Sequence, residues 1–146
     1  MKSTTQFLKH SAATLLGLGL VTAPAHATVL VSPTADANTL SNSISGPGVT
    51  ISGATYNGAP SASGTFSGGA SAGIGINTGI ILTTGNAADA VGPNKSDGTT
   101  GSHSTPGDPN LSALINGATT NDAASLTINF TTQGGDLFFN YVFASE

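Results

Sequence analysis

The chain of 146 residues contains no cysteine. Disulfide bridges, thiol nucleophiles and zinc–thiolate centres are therefore excluded, and a domain built from this sequence must rely on its own core. Leucine, isoleucine, valine and phenylalanine make up about a fifth of the residues after position 27, close to the level at which chains become disordered. These residues are concentrated in short segments, and this clustering favours folding.

Basic residues are also scarce. Lysine and arginine together number three, against seven acidic residues, and only Lys95 lies beyond position 27. Residues 28–146 therefore carry a net charge of −6, and they are rich in serine, threonine, asparagine and glycine. A protein with one base has almost nothing to neutralise phosphates, so nucleic acids and anionic membrane surfaces are poor partners, and we expect no nucleic acid to bind.

No apolar run is long enough to cross a bilayer. The longest, Ala12–Val21, has about half of the roughly 20 residues that a spanning helix needs. It follows Lys2 and Lys9 and precedes Ala25-His26-Ala27, which is the order of a basic region, an apolar core and a small-residue cleavage site. We therefore predict a signal peptide over residues 1–27, a single domain over residues 28–146, and a secreted or cell-surface location.

Short apolar segments between glycines and prolines predict a mostly β domain. The run from Gly73 to Gly85 is uncharged and rich in isoleucine, which predicts a buried strand around which the sheet is built. Shorter strands are predicted at Thr28–Ser32, at Val49–Ser52 with an extension to Asn57, and at Thr65-Phe66.

Two short helices are predicted from their capping residues. Asp36 is placed to cap a helix that carries Leu40 and Ile44 on one face. Asp108-Pro109 forms the cap and first residue of a second helix, which Gly117 ends. The polar loop of residues 92–110 leads into the second helix, and its length is typical of a functional or disordered loop.

The last strands form a predicted hairpin. Ser125–Thr131 alternates apolar and polar residues, and Leu137–Phe143 is apolar on both faces, a pattern typical of a central strand. Because the sequence stops three residues later at Glu146, we expect a longer protein in which the domain continues. The predicted fold is an antiparallel β-sandwich or jelly-roll-like domain with one or two short helices.

Two blocks of sequence resemble the choice-of-anchor L domain family. The first is Gly79-Ile80-Ile81-Leu82-Thr83-Thr84-Gly85 with Gly92-Pro93-Asn94, and the second combines residues 121–130 with residues 139–146. The resemblance covers nearly all of residues 28–146. It implies an exported bacterial surface protein, often with a PEP-CTERM sorting tail, from a family without an established catalytic activity. In that family the last motif continues beyond the position of Glu146.

Oxygen ligands in the glycine-rich loops suggest a calcium site. Asn94, Asp97, Asp108 and Asn110 supply carboxylate and amide oxygens, the ligands that calcium prefers. The alternative is plain turn chemistry, because the same residue types build turns. EF-hand spacing is absent.

Gly69-Ala70-Ser71-Ala72-Gly73 matches the Gly-x-Ser-x-Gly pattern of a hydrolase nucleophile. That pattern requires a strand before it and a helix after it, whereas a strand is predicted to follow here. His103, the one histidine beyond position 27, is the only candidate base.

We therefore predict a non-enzymatic surface or matrix protein with a structural or adhesive role. The alternatives are a calcium-assisted glycan-binding module and a secreted serine hydrolase that uses Ser71 and His103. The expected partners are extracellular polysaccharide or other surface proteins. Membrane contact is expected only through an anchor that this sequence does not include.

Overall fold

The computed structural model describes residues 28–93, 98 and 101–144. The predicted signal peptide lies outside these residues. Two antiparallel sheets dominate the fold, one with the strand order β1-β3-β4 and one with the order β2-β5. The strands are β1 (Leu30–Pro33), β2 (Val49–Asn57), β3 (Ser63–Ser67), β4 (Gly79–Leu82) and β5 (Ser125–Thr132). The predicted mostly-β fold of antiparallel sheets is confirmed.

The three-stranded sheet places β3 at its centre. Pro33 is the last residue of β1 and faces Gly64 of β3. Proline has no N–H to donate, so it is tolerated here because β1 is an edge strand of this sheet. Gly64 is required, since a Cβ atom there would lie 2.8 Å from the carbonyl oxygen of Ser32.

The two-stranded sheet is the longest ladder in the described residues. Its register runs from Val49 opposite Thr132 to Asn57 opposite Ser125, with a bulge between Ile51 and Gly53. The predicted continuation of β2 to Asn57 and the predicted strand at β5 are thus confirmed. The side-chain hydroxyl of Ser52, in the bulge, donates a hydrogen bond of 3.1 Å to the carbonyl oxygen of Asn129.

Helix α1 (Ala37–Ser43) joins the two sheets. It packs mainly against β2 and also contacts β3, β4 and β5. Leu40 on this helix is completely buried, and it is the largest side chain that the described residues bury in full. The rest of the core consists of small residues, which are Val29, Ala59, Ala62 and Ala87, with the buried serines Ser41 and Ser63.

Both predicted helix caps are confirmed. The Asp36 carboxylate accepts a hydrogen bond of 2.6 Å from the Thr39 N–H at the start of α1. Asp108 caps α2 (Pro109–Leu114), with Pro109 as the first helical residue.

A 3₁₀ turn at Ala87–Val91 was not predicted, because five residues carry too little periodicity to identify it. Among the described residues, no helix has the length and apolar character needed to cross a membrane.

The predicted central position of the Gly73–Gly85 strand is wrong. The strand is only β4, which forms an edge of its sheet, and Leu82 is 41% exposed. Residues 73–78 form turns and bends, and the chain on either side of them meets the ring of Phe66. That ring lies against Gly69 and Gly79, where a Cβ atom at either glycine would come within 2.9 Å of it.

The predicted central strand at Leu137–Phe143 is also wrong. The structure gives this segment no strand or helix, and its apolar side chains are exposed. A central strand needs neighbours on both edges, and none of the five described strands pairs with this segment. Local β propensity alone therefore does not make it a strand.

Leu40→Ala should lower the free energy of unfolding by about 2–5 kcal/mol, because it removes the one large side chain that is fully buried and leaves a cavity. Leu114→Ala is the matched control. Leu114 is 80% exposed, and its truncation should change stability by less than about 0.5 kcal/mol. Urea denaturation of both variants measures the difference. Equal, small losses would show that α1 does not anchor the core.

Candidate functional site

Asp122 joins two loops that precede β5. Its backbone N–H donates to the carbonyl oxygen of Thr105 at 3.0 Å, and the Ala123 N–H donates to the carbonyl oxygen of Pro106 at 3.2 Å. Asp122 has a φ of 52°, in the left-handed region that aspartate and asparagine enter more readily than most residues. This turn directs its carboxylate back toward the loop of residues 102–106.

The carboxylate of Asp122 accepts four hydrogen bonds from that loop. Oδ1 accepts from the N–H of Thr105 at 2.7 Å and from its hydroxyl at 3.0 Å. Oδ2 accepts from the hydroxyl of Ser102 and from the N–H of His103, each at 3.1 Å. We call Asp122 and these three donor residues the Asp122 clasp. Because it is only 8% exposed, Asp122 depends on these donors to replace water.

Hydrogen bonding lowers the pKa of Asp122. The N–H of Thr105 has the largest effect, and partial burial acts in the opposite direction. The N–H of His103 and the hydroxyls of Thr105 and Ser102 lower the pKa further. The group is therefore a carboxylate at neutral pH, and its charge is used to hold the loop.

His103 extends the clasp to the end of β4. Its Nε2 atom lies 3.0 Å from the carbonyl oxygen of Gly85. A carbonyl oxygen only accepts hydrogen bonds, so Nε2 carries the hydrogen. Two contacts, one through its backbone and one through its ring, thus hold His103 between the Asp122 turn and the chain that leaves β4.

An open cleft of about 320 Å³ lies between the end of β4 and the start of β5. Its lining is aliphatic, hydroxyl and amide in character, contributed by Leu82, Thr83, Thr84, Leu111, Thr120, Asn121, Ala123 and Ala124. Among these described lining residues there is no acid, base or thiol. The cleft therefore offers hydrogen-bonding groups beside aliphatic side chains.

Thr120 fixes one wall of the cleft against α2. Its hydroxyl accepts from the Asp108 N–H at 2.9 Å, donates to the Asp108 carbonyl oxygen at 3.1 Å, and lies 2.9 Å from the hydroxyl of Ser112. The close approach requires Gly107, because a Cβ atom at that position would collide with Thr120. This hydroxyl is occupied, so Thr84 and Asn121 are the exposed polar residues of the cleft.

The predicted calcium ligands divide into two pairs. Asn94 and Asp97 lie outside the described residues. Asp108 uses Oδ1 to cap α2, accepting from the N–H of Asn110 at 2.7 Å and of Leu111 at 3.1 Å. In the part of the chain that the structure describes, no three acidic or histidine side chains are placed to hold a metal ion. Calcium binding by the four residues stays a prediction.

Ser71 does not lie in the surroundings that a hydrolase nucleophile needs. Residues 69–73 form a turn after β3, and further turns lead into β4 without a helix. The Gly-x-Ser-x-Gly pattern requires a strand, a strained turn and then a helix. No hydrogen bond joins Ser71 to His103 within the described residues, and the histidine ring instead contacts Gly85.

The family model of the choice-of-anchor L domain matches residues 27–146. The chain belongs to the choice-of-anchor L domain family. This membership confirms the family suggested by the two sequence blocks and indicates a surface-associated protein. Comparison with curated proteins and with solved structures found no match for this choice-of-anchor L domain.

Sequence reasoning missed the structural role of Asp122. The residue lies in the block at positions 121–130 that carries the family resemblance, but its spacing matches no catalytic or metal motif. Its role depends on contacts with residues 102–105, which lie 17 to 20 positions away. No local pattern encodes a contact at that distance.

Asp122→Asn should destabilise the protein at neutral pH and flatten the pH dependence of its stability. Asparagine tolerates the left-handed conformation, but its amide nitrogen would face hydrogen-bond donors. A carboxylate whose pKa is lowered on folding stabilises above the ordinary value of 3.8, and this contribution is lost as the pH falls through the lower folded value.

Unfolding curves between pH 7 and pH 3 measure this effect. The difference between wild type and Asp122→Asn should shrink as the pH falls below 4. The control Asp136→Asn, at an exposed position outside the clasp, should change stability little. A wild-type advantage that is constant across this range would contradict a role for the charge of Asp122.

Proposed function

We propose that this choice-of-anchor L domain is an exported, non-enzymatic module with a structural or adhesive role at the cell surface or in the extracellular matrix. Membership of the family over residues 27–146 is the observation that carries the proposal. The acidic, hydroxyl- and amide-rich composition also supports it, because such a surface interacts through hydrogen bonds and stays away from phosphate-rich partners.

The chemistry of the Asp122 clasp and of the cleft agrees with a role without catalysis. Enzymes place titratable groups in clefts, where their pKa values are tuned for proton transfer. Here the carboxylate of Asp122 accepts four hydrogen bonds from the loop of residues 102–105. One ring nitrogen of His103 is hydrogen-bonded to the carbonyl oxygen of Gly85. The described lining of the cleft adds hydroxyls, an amide and aliphatic groups.

The cleft favours one second candidate, a glycan-binding module. Thr84 and Asn121 offer exposed hydrogen-bonding groups beside the aliphatic side chains of Leu82 and Leu111. Neutral sugars are bound by such combinations of hydrogen bonds and apolar contact. Extracellular polysaccharide or a glycosylated surface protein would be the partner, and calcium held by Asn94, Asp97, Asp108 and Asn110 would assist.

The surface role predicts where the protein is found. Cell fractionation of a producing strain, with detection of the natural gene product by an antibody against this domain, should find it in the surface or matrix fraction. Recovery of the protein only from the cytoplasm would contradict export, and recovery only from the free medium would contradict a surface or matrix role.

The glycan-binding candidate predicts saturable binding on a glycan array. Thr84→Arg should abolish it by filling the cleft with a long side chain. Thr131→Arg, at an exposed position of β5, is the matched control and should bind normally. Chelation of calcium and Asp97→Asn should each weaken binding if calcium assists. An array without signal, or equal signals from the two arginine variants, would overturn binding in the cleft.

A further inference from the structure

The cleft between β4 and β5 offers a ligand much aliphatic surface and few free polar groups. The hydroxyl of Thr120 is occupied by its contacts with α2 and the cap of that helix. Oγ1 of Thr83 accepts a hydrogen bond of 3.1 Å from the N–H of Gly85. Half of the described lining residues are aliphatic, namely Leu82, Leu111, Ala123 and Ala124. A ligand group that fits this lining therefore combines a small number of polar atoms with apolar carbon.

An unsubstituted hexose matches this lining poorly. Each sugar hydroxyl that enters the cleft loses its water and needs a partner from the walls, because an unpaired buried polar group is costly. The described lining contains no aromatic ring on which the face of a sugar could lie, and no charged side chain that would bind an acidic sugar. The chemistry of the lining favours a neutral substituent of a sugar over the hydroxyls of its ring.

We propose that the cleft binds the acetamido group of an N-acetylated sugar, so that its partner is a polysaccharide containing N-acetylhexosamine. This inference rests on the glycan-binding candidate for the same cleft and specifies which sugar the cleft takes. An acetamido group has one donor, one acceptor and one methyl group. Because an amide is planar and trans, its N–H and its carbonyl oxygen point in opposite directions. The group needs one polar partner on each of two facing walls and an apolar surface for its methyl group.

Thr84 and Asn121 supply the two polar partners. Thr84 lies just beyond β4 and Asn121 precedes β5, so they belong to the two segments between which the cleft lies. The hydroxyl of Thr84 can donate to the acetamido oxygen, and the side-chain oxygen of Asn121 can accept from the acetamido N–H. Leu82 and Leu111 are 41% and 52% exposed, and contact with the methyl group would remove part of this apolar surface from water.

The Asp122 clasp holds the two polar partners in place relative to each other. Asn121 is the neighbour of Asp122 in sequence, and Thr84 is the neighbour of Gly85. His103 links these neighbours, because its Nε2 atom lies 3.0 Å from the carbonyl oxygen of Gly85 and its N–H donates to the Asp122 carboxylate at 3.1 Å. Both walls are therefore positioned before a ligand arrives, which lowers the ordering cost of binding.

The volume of the cleft suits one sugar residue. At about 320 Å³ it lies at the lower end of the range for small-molecule sites. The cleft is open, so the rest of a polysaccharide can extend into solvent. Weak binding by single sites would be strengthened when many copies on one surface engage the same polysaccharide.

Matched monosaccharides test the assignment on the natural gene product at full length. Methyl N-acetyl-β-D-glucosaminide and methyl β-D-glucoside differ only in the acetamido group that replaces one hydroxyl. In isothermal titration calorimetry the acetamido probe should bind roughly 10-fold more tightly, because it places a methyl group on the aliphatic wall and pairs its amide with both polar partners. Methyl N-acetyl-β-D-galactosaminide should bind about as well as the glucosaminide, since the substituent and not the ring is recognised.

Two leucines of α2 form a matched pair of variants. Leu111→Ala removes part of the wall that receives the methyl group, and it should abolish most of the preference for the acetamido probe. Leu114→Ala should keep the full preference, because Leu114 is 80% exposed and does not belong to the described lining. Both substitutions are at exposed positions, so neither is expected to unfold the domain.

Thr84→Val tests the polar partner on the β4 wall. It replaces the hydroxyl by a methyl group of similar size and should weaken the acetamido probe about 5-fold, since one neutral hydrogen bond is lost. Thr131→Val, at an exposed position of β5, is the control and should bind normally. Melting temperatures of all four variants show that each is folded.

Three results would overturn the assignment, and they differ in what else they overturn. Equal affinities for the glucosaminide and the glucoside, both abolished by Thr84→Arg, would leave a glycan-binding cleft without acetamido specificity. An acetamido preference that Leu111→Ala and Thr84→Val both leave unchanged would place the sugar site elsewhere on the chain. Absence of binding to every probe would overturn the cleft as a glycan site, whereas the surface role is tested separately by fractionation.

Discussion

Leu40 is the only large apolar side chain that the described residues bury completely, and the two sheets meet around the helix that carries it. With so little apolar volume, the interior is completed by alanine and serine, whose hydroxyls must find acceptors. Ser63 donates to the carbonyl oxygen of Thr34 at 2.7 Å, and Ser41 donates to that of Asn38 at 3.2 Å. A small core of this kind leaves the loops to be held by hydrogen bonds, because burial cannot hold them.

The Asp122 clasp is the clearest case of a loop that hydrogen bonds hold in place. One carboxylate with four donors ties the loop of residues 102–105 to the turn before β5, and His103 ties the same loop to the end of β4. These contacts set the positions of the chain segments that border the cleft. A charged group is therefore used for architecture beside a cleft lining that is itself uncharged.

Residues 137–143 contrast with these hydrogen-bonded loops. Their apolar side chains are not buried against the rest of the described molecule. The surface of the domain thus has two unlike regions. One is the cleft between β4 and β5, which combines hydroxyl, amide and aliphatic groups, and the other is an uncharged aromatic segment.

Local sequence by itself determined the strands β2 and β5, both helix caps, the mostly-β class and, through two motif blocks, the family. In each case the deciding interaction is between near neighbours: alternation selects a strand, and an aspartate oxygen meets an N–H two or three residues later. Tertiary structure decided that β4 is an edge strand, that Leu137–Phe143 is exposed, and that Asp122 holds a distant loop. These features depend on which segments find partners across the fold, and neither propensity nor spacing within one segment specifies a partner that lies many residues away.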